Sequence, residues 1–162
     1  MLQIETPATA VPVAAPVVAP VAATTAGAPA AAGSGDPIAP IHQPFPRLIG
    51  AEITEATPTL VRARLKVVPE LCRSGHMLHG GALMAFADMV GSVGAFLNLP
   101  EGCATATIES KTNFISPAKE GSVVLAECVP LHAGRRSSVW ETRIMREDGK
   151  LLAVVIQTQM VI

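Results

Sequence analysis

Residues 75–92, GHMLHGGALMAFADMVGS, hold a single ionised side chain, Asp88, in a run that is otherwise apolar, small or neutral. From Gly80 onward the composition predicts a helix to about Leu97, apolar almost all the way round and so fit for burial on nearly every side. It ends at Asn98-Leu99-Pro100-Glu101-Gly102, with Asn98 as the cap and Pro100 barring continuation. A carboxylate removed from water without a partner is strongly unfavourable. Either a partner offsets that cost or Asp88 has a chemical task.

Around this helix the periodicity changes from 3.6 to 2. In Thr59–Val68, Val61, Ala63, Leu65 and Val67 alternate with Arg62, Arg64 and Lys66, the pattern of a half-buried strand. Pro69–His76 reads as a loop. Four further strands are expected at Ala104–Ile115, Ser122–His132, Ser137–Arg146 and Leu151–Ile162, separated by SPAKEG, HAGRR and EDGK. Asp148-Gly149 is a strong hairpin turn. One long helix with about five strands, four of them a meander, gives an α+β fold in which a curved antiparallel sheet wraps a central helix. The helix, and Asp88 with it, is then expected to be hidden along most of its length.

The 162 residues suffice for one domain, expected over 41–162, and a tail over 1–40. The mean hydropathy of +0.42 overstates the core, because much of it comes from alanine and valine in the tail. There, prolines recur every few residues and prevent helix or ladder formation. No basic residue precedes His42, which argues against a signal peptide, and the prolines exclude a membrane span in the tail. A disordered linker or extension is expected. The net charge of −1 disfavours a nucleic-acid partner. Three cysteines without a CxxC pair indicate neither a disulfide framework nor a zinc site, and fit a reducing cytoplasm. No metal is expected.

The helix opens on His79-Gly80-Gly81 rather than on Ser, Thr, Asp or Asn, so its first N–H groups are expected to lack a side-chain acceptor. Bare N–H groups at the positive end of a helix dipole bind an anion or an oxyanion. Equally, the glycine pair lets the backbone pass close to a strand. Gly81, Asp88, Ser92 and Ala95 share one helix face, and Ser92 is placed to hydrogen-bond the carboxylate or its substrate. Gly91 and Gly94 read as small residues that allow close packing. Asp88 lies eight residues beyond Gly80, ~12 Å along the axis at the α-helical rise. Groups so far apart cannot both touch one reacting carbonyl. If both are catalytic they come from different chains, with two helices antiparallel across a two-fold axis.

The segment HGGALMAFAD, with an acid nine residues after His79, and the later NFISPAKEG resemble the hotdog-fold acyl-CoA thioesterases of the 4-hydroxybenzoyl-CoA thioesterase superfamily, PaaI-like branch. The resemblance covers roughly Pro44–Ile162. It implies an enzyme that hydrolyses an acyl- or aryl-CoA to free acid and coenzyme A, as a homodimer or a dimer of dimers. Coenzyme A belongs to the substrate, and no cofactor is implied. Gly80 supplies the N–H for the thioester carbonyl, with Gly81 beside it, and His79 orients that loop or the substrate. Asp88 acts as general base or nucleophile, while Ser92 and Thr107 match hydroxyl positions that assist water. Relatives carry Asn or Gln where this chain has Arg73. Either His76 takes over that polar role or Arg73 contacts a substrate carboxylate or phosphate. Arg135, Arg136 and Lys119 form the basic cluster expected for the coenzyme A phosphates.

A rival reading is a non-catalytic hotdog module that binds acyl-CoA, which needs no Asp88. A hotdog dehydratase or hydratase is weaker, because its own histidine–acid pattern is not evident. Deleting residues 1–40 is expected to leave the melting temperature and turnover nearly unchanged, since that segment has no periodic apolar face to bury. Thermal melts and steady-state assays of the truncated chain check this.

Overall fold

Helix α2, Gly80–Phe96, organises the chain: it touches every strand of a six-stranded antiparallel sheet. The computed structural model describes residues 44–162, and the tail expected over 1–40 lies outside the described residues. In chain order the elements are α1 (Pro44–Ile49), β1 (Ala51–Thr57), β2 (Leu60–Lys66), a 3-10 turn (Pro69–Leu71), β3 (Cys72–Arg73) and β4 (Met77–Leu78). After α2 come β5 (Thr105–Phe114), β6 (Val123–Ala133), β7 (Ser137–Arg146) and β8 (Leu151–Val161). The strand order is β1-β2-β6-β7-β8-β5, with β3–β4 a separate two-stranded hairpin. This is the expected α+β arrangement of a curved sheet around one helix, but the expected four-strand meander is corrected: only β6–β7–β8 run as one, and β5 pairs with β8 rather than β6.

The sheet has one strand more than the five read from the sequence. β1 was missed because its register shifts between Ile53 and Glu55, which breaks the alternation that marks a strand. The short α1 was missed because Pro44 and Pro46 read as breakers, although proline is tolerated in a helix's first turn.

Core formation follows the two periodicities. On β2, Val61, Ala63 and Leu65 are buried, while Arg62 and Arg64 face outward. Those arginines pair with acids on adjacent strands: Arg62 with Glu55 at 2.7 Å and Glu127 at 2.9 Å, Arg64 with Glu52 at 2.7 Å. The basic face is thereby neutralised across the sheet. Leu83, Phe86, Ala87, Val90 and Val93 of α2 are buried against the sheet. Each large side chain fully buried there contributes roughly 1.5–3 kcal/mol.

The helix approaches the sheet closely where it has no side chain. A Cβ at Gly94 would lie 2.7 Å from Cζ3 of Trp140, and one at Gly91 would lie 2.4 Å from the amide of Gln157. Trp140 is fully buried and donates its indole N–H to Ser138 Oγ at 2.8 Å, so it belongs to the core. At the end of α2, the Asn98 amide donates to the carbonyls of Gly94 at 2.8 Å and Pro58 at 2.9 Å, tying the helix to the β1–β2 turn.

One strip of α2 stays uncovered in the single chain: Gly81 and Met84 are exposed, and Asp88 and Ser92 are half-buried. The expectation that the sheet hides Asp88 is therefore corrected; the sheet wraps the helix from one side only. Gly94→Ala is expected to destabilise the fold by ~1–3 kcal/mol, the usual cost of overpacking a filled core. Chemical denaturation followed by Trp140 fluorescence measures it directly.

Candidate active site

The site residues fall into two groups at different points along α2. The first lies at its N-terminus. His79 is the N-cap, and its Nδ1 accepts the Gly81 N–H at 2.9 Å. The expectation of an uncapped helix start is corrected: the histidine ring supplies the acceptor that Ser or Asp usually provides. That bond uses Nδ1 as the accepting nitrogen of the ring. The Gly80 N–H, by contrast, has no hydrogen-bond partner among the described residues.

Gly80 lines a cavity of about 380 Å³. Its walls are mostly apolar side chains, including Met77, Leu83, Phe114 and Pro117, with Ser116 among them and Arg73 as the one cation. A Cβ at Gly80 would come within 3.2 Å of the Phe114 ring, so the glycine keeps the amide accessible beside that ring. Arg73 Nη1 donates only to its neighbour's carbonyl, Ser74 O, at 3.1 Å. His76, in the left-handed region at φ 55, is engaged by Glu120 through Nδ1 at 2.6 Å. The two alternatives for the polar role near the cavity thus differ in availability: His76 is held by an acid and Arg73 is not.

The second group lies about two turns further along. The Asp88 Oδ1 accepts from Thr107 Oγ1 at 2.8 Å and from Gln157 Nε2 at 3.3 Å. Gln159 Nε2 donates to Thr107 Oγ1 at 2.7 Å and to Ser92 Oγ at 3.2 Å. So Thr107 meets Asp88 directly, while the bond expected from Ser92 to the carboxylate is not formed: Ser92 joins through Gln159, and Asp88 has the internal partners that sequence reading did not find. Gln157 and Gln159 were not singled out. The available signal was their i, i+2 spacing: on β8 the inward positions run Ala153, Val155, Gln157, Gln159, two apolar and then two amides.

The basic cluster is not formed within one chain. Lys119 precedes β6 and Arg135–Arg136 follow it, and ten residue steps of strand separate the ends by about 33 Å. Arg135 and Arg136 lie at the β6–β7 turn, where the Arg136 carbonyl accepts from Val161 N at 3.0 Å, two residues beyond Gln159. They share the Asp88 end, whereas Lys119 bridges to Met77 near Gly80. Among the thiols, Cys128 is buried, and burial pushes it up to about 12, so it stays protonated and is no nucleophile.

A family model described as the thioesterase superfamily matches residues 75–153, which include Gly80 and Asp88 but not Arg73, Gln157 or Gln159. The Rv1847 protein of Mycobacterium tuberculosis is 31% identical over 125 residues, covering 74% of this chain and 89% of that one. The chain belongs to the thioesterase superfamily. The thioester-hydrolase class expected from the sequence is the class of this family. A 1,4-dihydroxy-2-naphthoyl-CoA hydrolase of Escherichia coli is 37% identical over 75 residues, 46% of this chain and 54% of the hydrolase. The crystal structure of the thioesterase HI1161 from Haemophilus influenzae superposes with a TM-score of 0.71 at 29% identity, covering 75% of this chain and 85% of that one. No helix among the described residues is long and apolar enough to cross a membrane.

The cap makes a stability prediction. His79→Ala should cost ~1 kcal/mol, while His79→Asn, whose carboxamide oxygen reaches the same N–H, should restore most of it. Urea unfolding of the three chains measures the difference.

Proposed function

We propose that this chain is an acyl-CoA thioesterase whose active site is shared between two subunits. One observation carries the reading. A free helix N–H at an apolar cavity and a hydrogen-bonded carboxylate lie on one continuous helix, ~12 Å apart by rise. Neither group can serve the other within a chain, and an antiparallel pair of α2 helices would bring them together twice.

Two surface features support the dimer. The outer edge of β5 has no partner strand among the described residues, and Ile108, Phe114 and Ile115 on or beside it are more than half exposed. The uncovered strip of α2 also carries Met84. A second copy would cover both.

In the mechanism, the acyl group occupies the cavity and its carbonyl oxygen accepts from Gly80 N–H, strengthened by the helix dipole as negative charge develops. Asp88 of the other chain takes a proton from water, whose oxygen attacks the carbonyl carbon. The C–S bond then breaks, the thiolate of coenzyme A leaves and is protonated, and the free acid remains. Arg73 faces the acyl or thioester group, and Arg135 and Arg136 bind coenzyme A phosphates. The naphthoyl-CoA hydrolase among the relatives supports a CoA thioester as substrate. A reducing cytoplasm suits three unpaired thiols.

The non-catalytic binding module is the alternative that the assay excludes. Thiol release from a panel of aryl- and fatty-acyl-CoA thioesters is expected. A folded chain that binds them and hydrolyses none refutes the enzyme.

Asp88→Asn retains Oδ1 as an acceptor for Thr107 and Gln157, so it should fold, yet lose at least ~100-fold in turnover. Gly80→Val, which buries the amide, should be nearly inactive too. Refolding equal amounts of the two variants together should make about half the dimers mixed, and roughly a quarter of all sites should recover. No recovery, with mixed dimers verified by mass, would refute the shared site.

A further inference from the structure

Gln157 and Gln159 are almost completely sealed from solvent, at 0% and 1% exposure, on the strand face turned to α2. Two buried amides in an apolar sheet are unfavourable unless their hydrogen bonds have a use. A leucine at 157 would avoid the cost, since the Gln157 Oε1 is buried with no partner among the described residues. Stability alone does not account for this pair.

The direction of the bonds does. Both Asp88 atoms facing Gln157, the main-chain carbonyl and Oδ1, are acceptors at 3.3 Å, so the amide nitrogen must be the side that faces them. The Thr107 hydroxyl has one proton. Its oxygen accepts from Gln159 Nε2 at 2.7 Å, which leaves that proton for Asp88 Oδ1 at 2.8 Å. Gln159 is itself oriented, its Oε1 accepting from Thr105 Oγ1 at 3.0 Å. Gly91 leaves the room through which the Gln157 amide reaches the helix.

We propose that Gln157 and Gln159 are positioning residues that direct two hydrogen bonds onto Asp88 Oδ1 and so present Oδ2 as the oxygen that accepts the proton from water. This rests on the reading of Asp88 as the catalytic carboxylate. A carboxylate held on one oxygen cannot rotate its free lone pairs away from the attacking water, and the loss of that alignment appears in kcat rather than in KM.

The test compares Gln159→Leu, Gln159→Glu and Gln157→Leu, each alone and combined with Asp88→Asn, by thiol release from the best thioester of the panel. Gln159→Leu and Gln157→Leu should each lower kcat by about tenfold with KM changed by less than about twofold. Gln159→Glu is nearly isosteric, but its carboxylate draws the Thr107 proton away from Asp88, so it should lose more than Gln159→Leu. In the Asp88→Asn background none of the three should lower the residual rate further, because they act through that carboxylate.

Wild-type kcat in a folded Gln159→Glu chain, or losses that multiply with that of Asp88→Asn, would overturn the proposal. Should the glutamine variants not fold, Thr107→Val reads the same relay from its other end, and an unchanged kcat there overturns it equally. If Asp88→Asn itself keeps the full rate, the catalytic reading of Asp88 fails, whatever the glutamines do.

Discussion

Burial of a single apolar helix in the concave face of a twisted sheet is the interaction on which the rest of this structure depends. The contact is closest where α2 carries glycine: Trp140 packs on Gly94 and the Gln157 amide on Gly91, at separations that leave no room for a methyl group. Those contacts set the rotation of the helix about its axis. They thereby decide that Leu83, Phe86 and Val90 point into the core and that Gly81, Met84 and Asp88 do not. The uncovered strip is a consequence of one-sided wrapping: a sheet that curves around a helix without closing leaves one line of positions free.

That strip carries the candidate site. Its positions are fixed along the axis by helical rise, which no side-chain rearrangement can shorten. The free N–H at the start and the carboxylate two turns on therefore belong to separate surroundings in each chain, an apolar cavity with one arginine and a network of hydroxyls and amides. Electrostatically the two differ, since the helix start favours negative charge and the second set of groups donates hydrogen bonds to a carboxylate.

How legible this was depended on whether a signal was local. The helix limits were readable because glycine, Asn98 and Pro100 act within a turn of where they stand, and Asn98 indeed satisfies the Gly94 carbonyl. β2 and β6–β8 were readable because alternation survives over most of each, whereas the expected four-strand meander was not right: β5 skips to the far side of β8, a pairing that no local pattern announces. β1 was not, because a bulge shifts its phase, and the His79 cap was not, because an imidazole acceptor is an unusual occupant of that position. Arg135, Arg136 and Lys119 looked like one cluster because their turns are consecutive in sequence, yet a full strand stands between them.

The sequence by itself determined the central helix, five of the six strands of the sheet and the ~12 Å separation of Gly80 from Asp88, because propensity, periodicity and helical rise are properties of neighbouring residues. Only the tertiary structure decided what meets Asp88. Thr107 is nineteen residues away, and Gln157 and Gln159 are about seventy away, on the strand that pairs with that of Thr107. Their convergence follows from strand order and register, which place β8 between β7 and β5 and turn its alternate residues onto α2. No local pattern encodes that pairing, since it is fixed by which strands lie beside each other once the sheet has closed over the helix.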